Sequence, residues 1–207
     1  MNPLFSLFLT PLLFLSVTAA AQPDSSGLPK PYGIKSCKIV YTFFDGPQNG
    51  SKTLIFDDWG REEKLDVVVT TDTAALQKFL SDMHGEIAQT SPKPKPPIVQ
   101  RNMKIRIPGA VYAIDLDRQI GYKQKDIAPL PDLDQSEVGK DTILGKPCRI
   151  VEVQHAFRIW YWGKIALKKE MVQKIEGMRI EEFAIEIDEN YPIKPDEFKI
   201  PVSIKIQ

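Results

Sequence analysis

Apolar and polar residues alternate with a period of two along much of this chain, and that alternation constrains the fold more than any other feature of the sequence. It is clearest in the segments 37–43 and 182–188. Such alternation is typical of strands buried on one face, and one-faced strands favour antiparallel pairing. We therefore expect a mainly β fold of about ten strands. The predicted strands are 37–43, 53–56, 65–69, 103–107, 112–116, 149–155, 157–162, 165–169, 179–188 and 198–206.

Turn and loop residues separate these segments. Asp45-Gly46 and Asn49-Gly50 supply the residue types that tight hairpin turns require, so both are expected between the first two strands. The stretch 123–140 is polar, acidic and interrupted by proline, which predicts a long loop.

One segment breaks the β pattern and predicts a short helix. The apolar residues of 76–83 fall at the i, i+3, i+4 and i+7 spacing of an amphipathic helix, and Asp72 or Thr73 can cap its start. The proline-rich tract 91–97 that follows cannot join a central sheet, so 72–97 is expected to be an excursion from the sheet. A one-faced sheet of this size must curl or be covered, which predicts a strongly curved antiparallel sheet, an incomplete β-barrel, with the helix as its lid. The lid residues are Leu76, Phe79, Leu80 and Met83.

The first residues predict export. Residues 4–17 are almost wholly apolar and are followed by three alanines, so cleavage by a signal peptidase is expected between Ala21 and Gln22. An uncleaved anchor is the rival interpretation, but the stretch is short for a bilayer that needs about 20 apolar residues. The next cysteine is Cys37, so an N-terminal lipid anchor is not expected, and we predict a periplasmic or secreted protein that does not span the membrane. The expected organisation is a signal peptide at 1–21, a flexible leader at 22–33 and a single domain at 34–207.

Charge and motifs limit the function classes. The chain carries 27 basic and 27 acidic residues, without the basic excess that nucleic-acid binding requires. It has no nucleophile elbow, zinc-binding helix motif or phosphate-binding loop, so we expect no enzyme activity, cofactor or metal.

Cys148 and His155 are separated by an odd number of residues, which places them on opposite sides of a strand. Two acid pairs are interpreted as solvated loop charges, and an envelope hydrolase that uses the first pair is kept only as an alternative. These pairs are Asp115 with Asp117 and Asp132 with Asp134.

Two local features leave alternatives open. In an oxidising compartment, Cys37 and Cys148 either form a disulfide that closes a long loop or remain two buried thiols. Trp160 and Trp162 lie two residues apart and share a face, so they either pack in the core or form the wall of an apolar ligand cavity.

Several segments, in this order, resemble a family of exported bacterial envelope proteins that is similar in pattern to the periplasmic lipoprotein carriers of the Lol pathway. The segments that carry the resemblance are 34–36, 57–60, 113–116 with Gly121, 144–148, 160–162 and 165–168. The resemblance implies a half-barrel with an apolar hollow for acyl chains. Two departures are Ala166, where a related chain has proline, and a longer helix and proline excursion.

The resemblance leads to a functional hypothesis of a non-enzymatic envelope protein that binds or carries a lipid, an acyl chain or a lipoprotein. Burial of apolar area in a concave cavity would supply the affinity. The alternative is a structural or interaction protein with a solid core, no small ligand and another envelope protein as its partner. The expected cavity residues are Tyr112, Trp160, Trp162 and Phe183.

Overall fold

The computed structural model describes residues 30–84, 96–126, 135–172 and 179–207. The predicted signal peptide, its cleavage site and residues 22–29 of the leader lie outside the described residues, as do most of the proline-rich tract and the acid pair Asp132 and Asp134. The last residues of the leader belong to the domain, because Tyr32 is buried and its amide donates to the Trp59 carbonyl at 2.8 Å. The prediction of a flexible leader is therefore wrong from Tyr32 onward.

The described residues form one sheet of twelve strands, one α-helix and a single 3-10 turn at Asp58–Gly60, which confirms the mainly β prediction. The strands are β1 Cys37–Asp45, β2 Gln48–Asp57, β3 Glu62–Thr71, β4 Ile98–Ile107, β5 Ala110–Asp115, β6 Ile120–Lys125, β7 Gln135–Ile143, β8 Lys146–Val153, β9 Phe157–Trp162, β10 Ile165–Met171, β11 Ile180–Asp188 and β12 Lys205–Ile206. The strand order is β12-β6-β5-β4-β3-β2-β1-β11-β10-β9-β8-β7. Only the short β12 pairs in parallel, and the sheet is curved and does not close.

The curvature is visible in a contact across the sheet. Lys146 on β8 forms an ion pair with Glu189, just after β11, although two strands separate β8 from β11. Strands lie about 4.8 Å apart, so such a contact in a flat sheet would have to span about 14 Å. Register shifts leave Ile185, Leu167 and Val138 as extra residues in β11, β10 and β7. Bulges of this kind bend and twist a sheet, which accounts for the curl.

The inner face of the sheet, defined as the face that carries Cys37, Ile39 and Tyr41, holds the main core. Strands β8 to β10 contribute to the same core, because the sheet curls toward this face. The ring centroids of Tyr32 and Phe56 lie 4.5 Å apart at one end of it. This apolar cluster consists of Tyr32, Cys37, Ile39, Tyr41, Leu54, Phe56, Cys148, Trp160, Ile165, Leu167 and Ala184.

The opposite, outer face is covered by the C-terminal segment 189–207. Glu197 binds Lys64 of β3 at 3.1 Å, and the side chains of Ile204 and Ile206 lie against Gly121 of β6. The buried residues beneath this part of the sheet's outer face are Ile55, Ile105 and Ile114. The prediction of a strand at 198–206 is therefore mostly wrong, since only Lys205–Ile206 pair with the sheet.

Two turn and loop predictions need correction. The first hairpin turns at Gly46 and Pro47, whereas Asn49 and Gly50 lie within β2 and pair with β1. Gly50 is required there for packing, because a Cβ atom would lie 2.0 Å from the Val68 carbonyl oxygen. The predicted loop 123–140 contains the end of β6 and the start of β7. Polar residues can occupy these strands because β6 and β7 lie at or next to the two edges of the sheet, where side chains remain in water.

The predicted helix is confirmed as α1, which spans Thr73–His84. The Asp72 side chain caps it by accepting hydrogen bonds from the amides of Ala74 and Ala75 at 2.9 and 3.0 Å. Among the described residues no helix is long and apolar enough to cross a membrane.

Candidate binding surfaces

The structure does not bring the four predicted cavity residues together. Trp160 is buried in the apolar cluster, where its Nε1 donates to Asp141 at 3.0 Å, and the half-buried Trp162 packs against the same cluster. Tyr112 pairs with Ile105 and so lies on the outer face. Phe183 lies outside the cluster and lines a shallow cleft on β11. Packing in the core, and not the wall of a ligand cavity, is therefore the interpretation that fits Trp160.

Two open clefts lie on the described part of the chain. One, of about 510 Å³, lies on the β7–β8 hairpin, and the other, of about 370 Å³, lies beside Phe183. Neither is an enclosed apolar hollow. The first is lined by Lys140, Asp141, Thr142, Pro147, Cys148 and Arg149.

The cysteines are two buried free thiols in the structure. Burial, with Glu189 nearby, raises the pKa of Cys37 to about 12, and burial also raises the pKa of Cys148. Buried thiols in such surroundings are typically structural, and both sulfurs lie within the apolar cluster. The 84% exposed His155 binds Glu152 at 2.9 Å, so it does not meet the buried Cys148.

The acid pair Asp115 and Asp117 holds the turn between β5 and β6. Asp115 accepts hydrogen bonds from the amides of Asp117 and Arg118 at 3.0 and 2.9 Å. Asp117 accepts from the amide and the guanidinium of Arg101, both at 2.8 Å, and these bonds lower its pKa. The described residues contain no group of three or more side chains suited to a metal ion.

Charged side chains are buried on the inner face at one end of the apolar cluster. Lys52 forms an ion pair with Glu182, and these side chains are only 14% and 10% exposed. Burial lowers the pKa of Lys52 and raises that of Glu182, while their mutual attraction opposes both shifts. Burial likewise lowers the pKa of the neighbouring Lys169.

A second charged group lies on β3 and β4. The Tyr32 hydroxyl donates to the buried Glu63 at 2.7 Å, and Arg106 approaches the same carboxylate at 3.4 Å. The Arg106 Nε atom is buried without a hydrogen-bond partner, although Asp126 lies 3.7 Å away. Burial lowers the pKa of Lys104, which occupies the next inner position of β4.

Sequence reasoning missed both charged groups, although the alternation contained a signal. Glu63 alternates with Leu65 and Val67, and Lys52 alternates with Leu54 and Phe56. A charged residue on the apolar side of a strand is expected to be buried with a partner. That rule would have identified Glu63 and Lys52 as inner-face charges, whereas Glu182 alternates with Ala184 and Glu186 and carries no such signal.

Exposed apolar side chains are found on α1 and at the ends of the two strands that precede and follow it in the chain. This region, called here the α1 corner, comprises α1 and the ends of β3 and β4 that flank it in the chain. Leu76 and Phe79 of the helix are half-buried, so the helix does not seal its apolar face. Four of the ten large apolar side chains exposed among the described residues belong to this corner: Val68 at 38%, Leu80 at 41%, Ile98 at 49% and Val99 at 56%. Val68 and Val99 share the outer face of the sheet, whereas Ile98 lies on the inner face. The side chain of Met83 lies outside the described residues.

Comparison with known proteins shows the fold alone. No family model and no curated protein matches the chain. It is similar to an uncharacterized conserved protein from Thermus thermophilus, with a TM-score of 0.52 and 6% identity over 84% of this chain and 90% of that one. It is also similar to MucB, with a TM-score of 0.43 and 9% identity over 82% of this chain and 58% of MucB. The curved, unclosed sheet fits the half-barrel that the resemblance to the Lol carriers implies.

Proposed function

We propose that the protein is a non-enzymatic binding protein of the bacterial cell envelope that takes a lipid, an acyl chain or a lipoprotein anchor at the α1 corner. The observation that carries the proposal is the group of exposed apolar side chains on α1 and β4. Scattered single apolar residues are normal on a surface, whereas a concentration of them marks a site of interaction. The signal peptide expected at 1–21 would place this site in the envelope.

The position of the ligand differs from the one the sequence suggested. The tryptophans of the apolar cluster are packed among side chains, so an acyl chain has no room beside Trp160 in the described core. At the α1 corner, the incompletely covered helix leaves apolar surface in contact with water. Burial of about 200 Å² of it under an acyl chain would contribute about 5 kcal/mol.

Native mass spectrometry after mild purification tests the proposal, followed by titration with a fluorescent palmitate. Leu80→Asp and Val99→Asp place a charge in the α1 corner at exposed positions, so the fold should survive and palmitate affinity should fall by about tenfold or more. Val202→Asp is the matched control, because Val202 is fully exposed on the C-terminal segment. A wild-type protein that is recovered empty and binds no palmitate contradicts the proposal.

A second candidate is a structural or interaction protein without a small ligand. It is favoured by the packed apolar cluster and by the openness of the first cleft, which does not enclose a ligand. Chemical cross-linking in intact cells separates the two candidates. This candidate predicts one stable protein neighbour and no copurifying lipid, whereas the first predicts lipid at the α1 corner whether or not a neighbour is captured.

A further inference from the structure

Strand β7 ends the sheet and has an unpaired edge. Its only sheet neighbour among the described residues is β8, so one side of its backbone is not used in the ladder. Such an edge is a template for another strand, and proteins usually protect it. The other end of the sheet is protected in part, because β12 pairs with Ile120 and Gly121 of β6. No strand covers β7 in the described structure.

Two positively charged side chains lie side by side next to this edge. Lys140 of β7 pairs directly with Arg149 of β8, and like charges in that position repel. Within the described residues neither side chain has a carboxylate within 4.0 Å, and the Arg149 guanidinium lies 5.2 Å from the centroid of the Tyr161 ring. The adjacent Asp141 pairs with Cys148 on the opposite face of the strand, where its oxygens accept from Trp160 and from the Thr142 amide, so it forms no ion pair with either cation. The cleft of about 510 Å³ lies over this pair.

We propose that the edge of β7 over residues 139–143 docks an extended segment of another protein that carries an acidic side chain opposite Lys140. The unpaired backbone would supply the hydrogen bonds, as in other cases of strand addition. The carboxylate would relieve the repulsion between Lys140 and Arg149. This inference is independent of lipid binding at the α1 corner.

A second copy of the chain fits this edge less well. In an antiparallel pair formed by β7 of two copies, Glu137 of each copy can lie opposite Lys140 of the other. This register requires the twofold axis between the strands to pass between Val138 and Gly139. The bulge at Val138 interrupts the ladder at that point. The regular half of β7, from 139 to 143, therefore favours a foreign strand.

Binding of two labelled seven-residue peptides to the purified protein tests the proposal. One peptide alternates valine with glutamate, and the other alternates valine with lysine. Fluorescence anisotropy should show saturable binding of the glutamate peptide alone, which added salt weakens because the charges are exposed. Amide NMR shifts should be confined to 139–143 and the adjoining residues of β8.

Substitutions make the test specific. Lys140→Glu should weaken binding of the glutamate peptide by about fivefold or more, and Lys140→Gln by less, since the first adds repulsion to the loss of attraction. Lys125→Glu is the matched control, an exposed lysine on β6 near the opposite edge, and should change nothing. The proposal is overturned if neither peptide binds at millimolar concentration, if both bind alike, or if Lys125→Glu has the same effect. It is also overturned if the wild-type protein dimerises with its β7 amides protected, which would identify a second copy as the occupant.

Discussion

The two halves of the sheet place their apolar side chains on opposite faces. On β1 and β2 the buried residues Cys37 and Phe56 face inward and pair directly with each other. Two strands further, on β4, the fully buried Ile105 faces outward, and the inner positions beside it hold Lys104 and Arg106. The polarity of the sheet therefore reverses across β3.

Each half consequently needs its own cover. The first half is covered from inside by β8 to β10, which the curl of the sheet brings over β1 and β2. The second half is covered from outside by the C-terminal segment, through the Glu197–Lys64 ion pair and the contacts of Ile204 and Ile206 with Gly121. The inner face of the second half carries the charged groups of β3 and β4 together with the buried Val111. The α1 corner, where apolar surface remains exposed, adjoins this half.

The first half should be the more sensitive to cavity formation. Phe56→Ala removes a fully buried ring that packs against Tyr32, and the free energy of unfolding should fall by about 3–5 kcal/mol. Urea denaturation followed by tryptophan fluorescence measures the loss. Phe44→Ala is the control, because Phe44 is half-buried on the outer face beneath Arg179 and should cost less. Equal losses for both variants would show that the inner cluster is not the main core.

The outer cover should also be measurable. Ile105→Ala removes a fully buried side chain from the outer face and should lower the free energy of unfolding by about 2–5 kcal/mol. A loss below about 0.5 kcal/mol would mean that Ile105 is exposed in solution and that the C-terminal segment does not cover this face. Hydrogen exchange of the variant provides the control. The amides of β4 and those of the C-terminal segment should lose protection together.

The contact with Gly121 gives a smaller and more local effect. A Cβ atom at this position would lie 2.7 Å from Ile206 Cδ1 and 3.1 Å from Ile204 Cγ2, which are ends of flexible side chains. Gly121→Ala should therefore displace the C-terminal residues and cost about 1 kcal/mol. Gly50→Ala is the matched comparison, because the clash there is with the backbone oxygen of Val68 and cannot be relieved by a rotamer change. In thermal unfolding, Gly50→Ala should have a much lower melting temperature than Gly121→Ala.

The comparison of the two halves also shows how much of the fold can be predicted from the sequence. Period-two alternation predicted both β1 and β4 as one-faced strands, and the spacing over 76–83, with Asp72 or Thr73 as the cap, predicted the helix observed at Thr73–His84. Alternation cannot tell which face of a sheet a strand's apolar side occupies, because that depends on its register with its neighbours. We therefore expected a single inner surface, whereas Ile105 faces outward. The C-terminal segment was mistaken for a strand because its isoleucines cover a sheet instead of joining one.

The candidate sites were less predictable than the fold. The helix was predicted, but the exposure of Leu80 is a tertiary property that its spacing does not determine. The edge position of β7 depends on strand order, and the pairing of Lys140 with Arg149 depends on register. Neither can be derived from composition or spacing, since the stretch around Lys140 has the composition of a polar loop.

The charged inner face of the second half gives the smallest expected effect. Burial lowers the pKa of Lys104 in the folded protein below its ordinary value of about 10.5. The unfolded chain therefore binds more protons between the two values, and stability should rise as the pH increases through that window. Below that window the ammonium group is charged in both states, and the penalty for burying it is present.

Lys104→Met removes this penalty together with the attraction to Glu63. The free energy of unfolding at pH 7 should change by no more than about 1 kcal/mol, in the stabilising direction, and the rise with pH toward about 10.5 should be reduced. Urea titrations at pH 7 and pH 10 measure both quantities. Lys52→Met is the contrasting variant, because it leaves the buried Glu182 without its ion-pair partner and should cost about 3–5 kcal/mol. If Lys104→Met were as destabilising as Lys52→Met, the inner face of β4 would be as tightly closed as the apolar cluster, and the proposed difference between the two halves would not hold.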